Sequence, residues 1–296
     1  MDKKIEIAKR LGLYYDRISP QIKDGSLQYY ISGSLASMIL GNAEEIVELE
    51  LDKDNHIIGE KEPKKITDEQ RAKIQTFSRK LGIDVDVVNV NGNLFFGASI
   101  ENRPSIPNVV KNVEDVMELN SWRPTFCGSM YIDALEGDRD ITTHSVVKVK
   151  TDEGELIVTA PPELLAFKMT EMIFIGTKIL NNKANDDYKK KYEKDVKDLS
   201  TLFYGFYELY GEEFIERIFT VLINHKYFRI SQNNIMEEQE FYEQRIFKKI
   251  KEDCMSLLMD IAGVKTAMDF EVLIDKLLEK RRVLAEEKQA GNHIEI

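Results

Sequence analysis

Two sets of residues in this chain have types and spacing that could do chemistry. One is the pair of carboxylates Asp84 and Asp86, one residue apart in Ile83-Asp84-Val85-Asp86-Val87-Val88, and the other is the small corner Ser32-Gly33-Ser34 that follows the apolar run 27–31. On a strand, residues two apart project to the same face, so Asp84 and Asp86 are expected to point together while Val85 and Val87 point into the layer behind. Two carboxylates a few ångströms apart repel. A hard divalent cation such as Mg²⁺, which takes oxygen ligands and keeps water or phosphate oxygens in its other positions, relieves that repulsion. Solvation of an acidic edge strand, or pairing with lysine, relieves it too, and residue types alone leave these open. A strand that ends in Gly-Ser and feeds a helix offers backbone N–H groups to an anion, and a missing Cβ lets phosphate approach the main chain. Taken alone Gly-Ser is also a common turn, but beside a cation site it could serve a nucleotide.

These residues need elements to carry them, and the punctuation of the chain supplies those. Residues 2–12 form an amphipathic helical pattern, 20–25 read as a turn, and 27–32 as a strand entering the Gly33-Ser34 corner; a helix over 35–40 ends near Gly41-Asn42. Residues 45–51 alternate apolar and acidic, Asp52-Lys53-Asp54-Asn55 is a turn and 56–59 return, which predicts a hairpin. Thr67 and Gln70 have the spacing of a capping box and open a helix expected to reach 80–81 before Gly82. The acidic strand covers 83–90, Asn91-Gly92-Asn93 turns into a strand over 94–100, and a helical pattern covers 109–119. Strands are expected at 125–135, 146–150 and 155–158, the last two joined by Thr151-Asp152-Glu153-Gly154. From Pro162 onward apolar residues recur at helical spacing to about Glu287, broken by a polar loop over 181–187, and 291–296 read as a frayed tail. The expected class is α+β: a mixed sheet with flanking helices over 1–160, with an insertion at about 43–66, followed by a helical domain over 161–290.

The order strand, Gly-Ser, helix, then a strand bearing Asp-x-Asp resembles the nucleotidyltransferase fold of the DNA polymerase β-like superfamily. Ser32-Gly33-Ser34 and Ile83-Asp84-Val85-Asp86-Val87 match its hallmark in order and type. The two parts lie further apart here than in that family, because the 45–59 hairpin and the 67–81 helix intervene; loop-closure cost grows only logarithmically with length, so such an insertion is tolerable. Val158-Thr159-Ala160-Pro161-Pro162-Glu163-Leu164-Leu165-Ala166-Phe167-Lys168 is similar to a passage of AbiEii-type nucleotidyltransferases, the toxins of type IV toxin–antitoxin systems, and Lys194-Asp195-Val196-Lys197-Asp198-Leu199 resembles one of their helices. The resemblance implies that Gly33 and Ser34 hold the β and γ phosphates of an NTP and that Asp84 and Asp86 bind Mg²⁺. It implies further that Lys168 neutralises phosphate charge and that Asp195 or Asp198 orients this lysine or contacts the acceptor. Asp195 and Asp198, three apart, share a helix face, which also suits surface salt bridges; Lys168 also suits a side chain snorkelling at a domain seam. The superfamily often has a third metal-binding carboxylate. Its candidate here is Asp133 in Met130-Tyr131-Ile132-Asp133-Ala134, a residue that equally fits a strand end or turn, while 146–150 offer lysines instead.

The implied activity is Mg²⁺-dependent transfer of a nucleoside monophosphate from an NTP to a hydroxyl of RNA, such as tRNA, or of protein, with a cognate antitoxin as a further partner. Two other readings stand beside it: a catalytically silent fold that binds nucleotides or proteins, and transfer to a small molecule such as an aminoglycoside antibiotic. The net charge of −11 over 296 residues opposes non-specific attraction to a polyphosphate backbone. Any RNA contact must therefore be local, and Lys189-Lys190-Lys191-Tyr192-Glu193-Lys194 could supply one or simply form a solvated helix face. Cys127 and Cys254 lack CxxC spacing, and His56, His144, His225 and His293 lack ligand spacing, which argues against a disulfide framework, a cysteine zinc site and histidine-centred chemistry. No run of 18 apolar residues occurs, and Met1-Asp2-Lys3-Lys4-Ile5-Glu6 opens no signal-peptide core, so the expectation is a cytoplasmic protein without membrane contact.

Overall fold

The structure is a computed structural model that describes residues 21–27, 29–76, 84–89, 124–127, 130–136, 145–151, 154–224 and 236–292. The helices expected over 2–12 and 109–119, the strand over 94–100 and the last residues of the tail lie outside the described residues. Contacts divide the chain into two units, Met1–Leu164 and Leu165–Ile296.

The first unit is built on a mixed sheet. In chain order its elements are β1 (Ile22–Lys23), β2 (Ser26–Leu27), β3 (Tyr29–Ile31), α1 (Gly33–Asn42), β4 (Glu45–Leu51), β5 (Ile57–Glu60), β6 (Lys64–Lys65), α2 (Asp68–Thr76), β7 (Asp84–Asn89), β8 (Pro124–Cys127), β9 (Met130–Glu136), β10 (Val146–Thr151) and β11 (Gly154–Thr159). The sheet runs β5-β4-β10-β11-β3-β7-β9-β8, with β6 beside β4; β1 and β2 pair separately. The β11/β3 and β7/β9 ladders are parallel and the other ladders antiparallel.

Burial explains the central strands. Val146, Val147 and Val149 on β10 and Leu156, Ile157 and Val158 on β11 are all buried, so neighbouring residues on both faces are covered, as for strands in the interior of a sheet. Leu27, Tyr30, Leu49, Val146 and Ile157 form one core cluster, with Leu51 and Ile57 packed against it. Lys148, one of the lysines on β10, pairs with Glu60 at 2.6 Å and Glu155 at 3.8 Å.

The hairpin read over 45–59 forms as β4 and β5, and β4 lies within the sheet, between β5 and β10. The capping box forms too. The Thr67 N–H donates to Gln70 Oε1 at 2.9 Å and the Gln70 N–H donates to Thr67 Oγ1 at 3.2 Å. One expectation is corrected: 125–135 is two antiparallel strands, β8 and β9, whose ladder pairs Cys127 with Met130. Gly-Ser between two strand-like runs is a hairpin signal in the sequence, and the apolar residues on both sides hid it.

The second unit is helical. Helix α3 (Pro161–Leu180) begins in the first unit and continues into the second, followed by α4 (Asp186–Tyr210), α5 (Glu212–Asn224), α6 (Met236–Ala262) and α7 (Val264–Asn292). The predicted loop between α3 and α4 is capped by Asn185, whose side chain accepts from the Tyr188 N–H at 2.9 Å, and Asp186 and Asp187 complement the positive end of the helix dipole. Phe203 meets the rings of Phe214 and Phe270 with centroids 6.2 and 5.1 Å apart, tying α4 to α5 and α7. Helix α3 approaches α6 and α4 at Gly176, where a Cβ would stand 3.3 Å from Ile246 Cγ2 and 3.7 Å from Tyr192 Cε2. No helix among the described residues is long and apolar enough to cross a membrane.

Between β3 and α1 the chain turns at Gly33, whose φ of 62° lies in the left-handed region that side chains with a Cβ disfavour. Gly33→Ala is expected to lower stability by about 1–2 kcal/mol, read from the denaturant midpoint, because alanine must take that conformation or move the first turn of α1.

Candidate functional site

The Gly-Ser corner and the carboxylate strand meet through backbone register. The antiparallel β3/β7 ladder pairs Tyr29 with Asn89, Tyr30 with Val88 and Ile31 with Val87. Moving forward along β3 moves backward along β7, so Ser32, Gly33 and Ser34 follow at the edge of the sheet where β7 carries Asp86 and Asp84. The parallel β7/β9 ladder then pairs Asp84 with Tyr131 and Asp86 with Asp133. Asp133, the candidate third carboxylate, is thus neither at a strand end nor in a turn: it stands within β9, beside Asp86 on the neighbouring strand.

Two helices start from this edge. α1 begins at Gly33 and packs on β7. β11 runs parallel to β3, with Val158 opposite Ile31, and leads through Ala160 into α3. The Thr159 hydroxyl donates to the Ile31 carbonyl at 3.3 Å and ties the two strand ends together. Ser32, the N-cap of α1, is buried and its hydroxyl makes no capping hydrogen bond, so it does not consume the first-turn N–H groups, which are the usual anion donors of a helix start. Nearby, burial and then the charge of buried Glu163 push the Tyr30 phenol well above its ordinary value, so it stays protonated.

The second unit holds Lys168, Asp195 and Asp198 together. Lys168 is buried and its ammonium donates to Asp195 Oδ1 at 3.1 Å; Asp198 Oδ2 lies 3.4 Å from Nζ and Glu171 Oε2 3.5 Å. Lys168 is therefore not a snorkelling side chain, and Asp195 and Asp198 are buried partners of an internal cation instead of surface salt-bridge residues. Of the two roles open for these aspartates, holding the lysine is the one their geometry fits.

Two members of this cluster have no place in the motifs: Glu171 and Lys191, whose Nζ lies 2.7 Å from Glu171 Oε1. The three-residue spacing of Lys168 and Glu171 on one helix is readable in the chain, whereas the link to Lys191 needs α3 and α4 to pack. Burial pushes the Asp195 carboxyl above the ordinary aspartate range, and Glu171 pushes it the same way, against the pull of Lys168 and Lys191. Burial would also raise Glu171, but the ammonium groups of Lys168 and Lys191 outweigh it and hold that carboxyl below its ordinary value. Asp195 Oδ2 is buried without a hydrogen-bond partner.

A third set lies in the β4–β5 turn. Asp52, Asp54 and His56 offer ligand atoms within 4.8 Å of one another. The Asp52 carboxylate is occupied by its own turn: Oδ1 accepts from the N–H groups of Asp54 and His56, both at 2.8 Å, and Oδ2 lies 3.2 Å from His56 Nδ1. The His56 N–H bond is the main cause holding Asp52 below its ordinary value. The spacing Asp-x-Asp-x-His was visible in the chain, but it also describes a tight acidic turn. Cys254, the other thiol besides Cys127, is buried, and burial pushes it up to about 12.

Compared with models of known protein families, with curated proteins and with solved structures, the chain finds no match. The predicted residues therefore stand on geometry: Gly33, Ser34, Asp84, Asp86 and Asp133 share one edge of the sheet of the first unit, and Lys168, Asp195 and Asp198 form one cluster in the second.

Removing the ammonium leaves buried carboxylates without their counterion, so Lys168→Met should cost about 3 kcal/mol, whereas Lys191→Met, on a partly exposed pair, should cost less than about 1 kcal/mol; chemical denaturation of both variants checks the contrast. The raised Asp195 carboxyl binds its proton more tightly when folded, so its contribution is present below the ordinary aspartate range and is lost as pH rises through its folded value. The stability of Asp195→Asn relative to the native chain should therefore increase with pH across that window, as followed by thermal unfolding in a pH series.

Proposed function

We propose that the chain is a nucleotidyltransferase that moves a nucleoside monophosphate from an NTP to an acceptor hydroxyl of RNA or protein. One observation carries this reading: the β3/β7/β9 register that puts the Gly33 corner, Asp84, Asp86 and Asp133 at the same edge of three neighbouring strands. Three carboxylates on adjacent strands are a hard oxygen donor set of the kind that suits Mg²⁺, so Asp84, Asp86 and Asp133 are the residues to hold it. The cation, when bound, would supply positive charge against the phosphoryl oxygens.

The chain's own part is to position and to neutralise. The first-turn N–H groups of α1, next to a residue without a Cβ, donate to the β and γ phosphates; in the second unit Asp195 and Asp198 hold Lys168, the residue that the resemblance implies for neutralising phosphate charge. The acceptor oxygen attacks the α-phosphorus in line, the bond to the bridging oxygen breaks, and pyrophosphate leaves. In its finer form the proposal is a type IV toxin, acting in the cytoplasm on RNA such as tRNA and countered by an antitoxin. The acidic net charge favours a short, local contact with RNA over a long basic track.

The test is incubation of the protein with labelled NTPs, Mg²⁺ and total RNA or lysate. Label should pass to the acceptor with the native chain and fall to background with Asp84→Asn or Asp86→Asn. Transfer that persists in both variants would remove these carboxylates from the reaction. NTP binding without transfer to RNA, protein or an aminoglycoside would replace the reading with that of a silent nucleotide-binding module.

A further inference from the structure

Of the three carboxylates around Lys168, two are fixed and one is not. Asp195 and Asp198 are 0% and 6% exposed at the side chain, both on α4, whereas Glu171 on α3 is 34% exposed and makes the longest of the three contacts, 3.5 Å. Glu171 also reaches a second cation. Its Oε2 faces Lys168 and its Oε1 faces Lys191 at 2.7 Å, so one carboxylate bridges two ammonium groups with one oxygen on each.

That is how a phosphoryl group would bind there. Two of its oxygens span about the same distance as those of a carboxylate, it carries more charge, and lysine is a common point-charge partner for phosphate. Lys191 is 40% exposed, so the bridge opens on solvent, and it belongs to the run of lysines on α4 from Lys189 to Lys194.

We propose that Glu171 occupies an oxyanion subsite, and that the oxygens of a phosphate-type ligand bridge Lys168 and Lys191 once Glu171 has swung into solvent. Only Glu171 can vacate the place: its chain has three rotatable bonds and a path to water, while the two aspartates stay as the buried counter-charge of Lys168. The ammonium pair keeps Glu171 ionised through the neutral range, so a ligand must compete with a charge that is always present. The identity of the ligand as the polyphosphate end of a nucleotide rests on the transferase reading; the subsite itself rests on the bridge.

The experiment is calorimetric titration of the native chain, Glu171→Gln, Lys191→Met and the double variant with sodium pyrophosphate and, separately, with ATP, both without Mg²⁺. Glutamine keeps the shape and removes the competing charge, so Glu171→Gln should bind pyrophosphate on the order of tenfold more tightly, and Lys191→Met should reverse that gain. A parallel gain for ATP identifies the nucleotide as the source of the oxyanion; a gain for pyrophosphate alone identifies the free anion. Binding by Glu171→Gln no tighter than by the native chain, a gain that survives Lys191→Met, or no heat from any variant at millimolar ligand overturns the subsite. If Glu171→Gln does not fold, Lys191→Met alone decides, since it must bind pyrophosphate more weakly than the native chain. The transferase reading is separable: it falls if transfer persists in Asp84→Asn and Asp86→Asn, whatever the titrations show, and it stands if transfer is lost there while the titrations are flat.

Discussion

Strand β3 is three residues long, and the sheet is continuous only because of it. Tyr29, Tyr30 and Ile31 all pair with β7 on one side, and on the other Ile31 pairs with Val158 of β11. Without them the sheet would separate into β5-β4-β10-β11 and β7-β9-β8. All three are buried, so the pairing is held by apolar burial on both faces as well as by ladder hydrogen bonds. A slip of one residue would exchange the faces of every side chain on the strand and move Gly33 along the edge relative to Asp86. The short strand therefore sets both the integrity of the sheet and the spacing of its candidate site.

The helical unit depends on a different constraint. A buried ammonium cannot be left uncompensated, and two buried carboxylates with a third, partly exposed one around it overshoot. The excess is managed in two ways: Asp195 holds its proton more readily than usual, and Glu171 takes a second cation from α4. Such a network is weak evidence for stability, because desolvation offsets much of its attraction, but it fixes the rotation of α3 against α4 to that which brings Lys168 to Asp195 and Asp198.

Much of the fold was legible because its signals were local. The capping box of Thr67 and Gln70, the Asp52–Asn55 turn between alternating strands, and the carboxylate strand each rest on spacing within a few residues, and each element forms. What was not legible depended on pairing over long distances in the chain. Nothing in residues 45–51 says that they lie beside β10. The same holds for the site. Asp84 and Asp86 declare themselves by period, whereas Asp133 gains its meaning only from the register with β7, and Glu171 and Lys191 only from the packing of α3 on α4.

The burial of Cys254 has an experimental use. Its sulfur is enclosed where α6 packs on α4, and its proton is held so firmly that little thiolate forms at neutral pH. Alkylating reagents attack the thiolate, so they reach this position only after the helices part. The rate of its modification is then a built-in clock for opening of the helical unit, read without any engineered label.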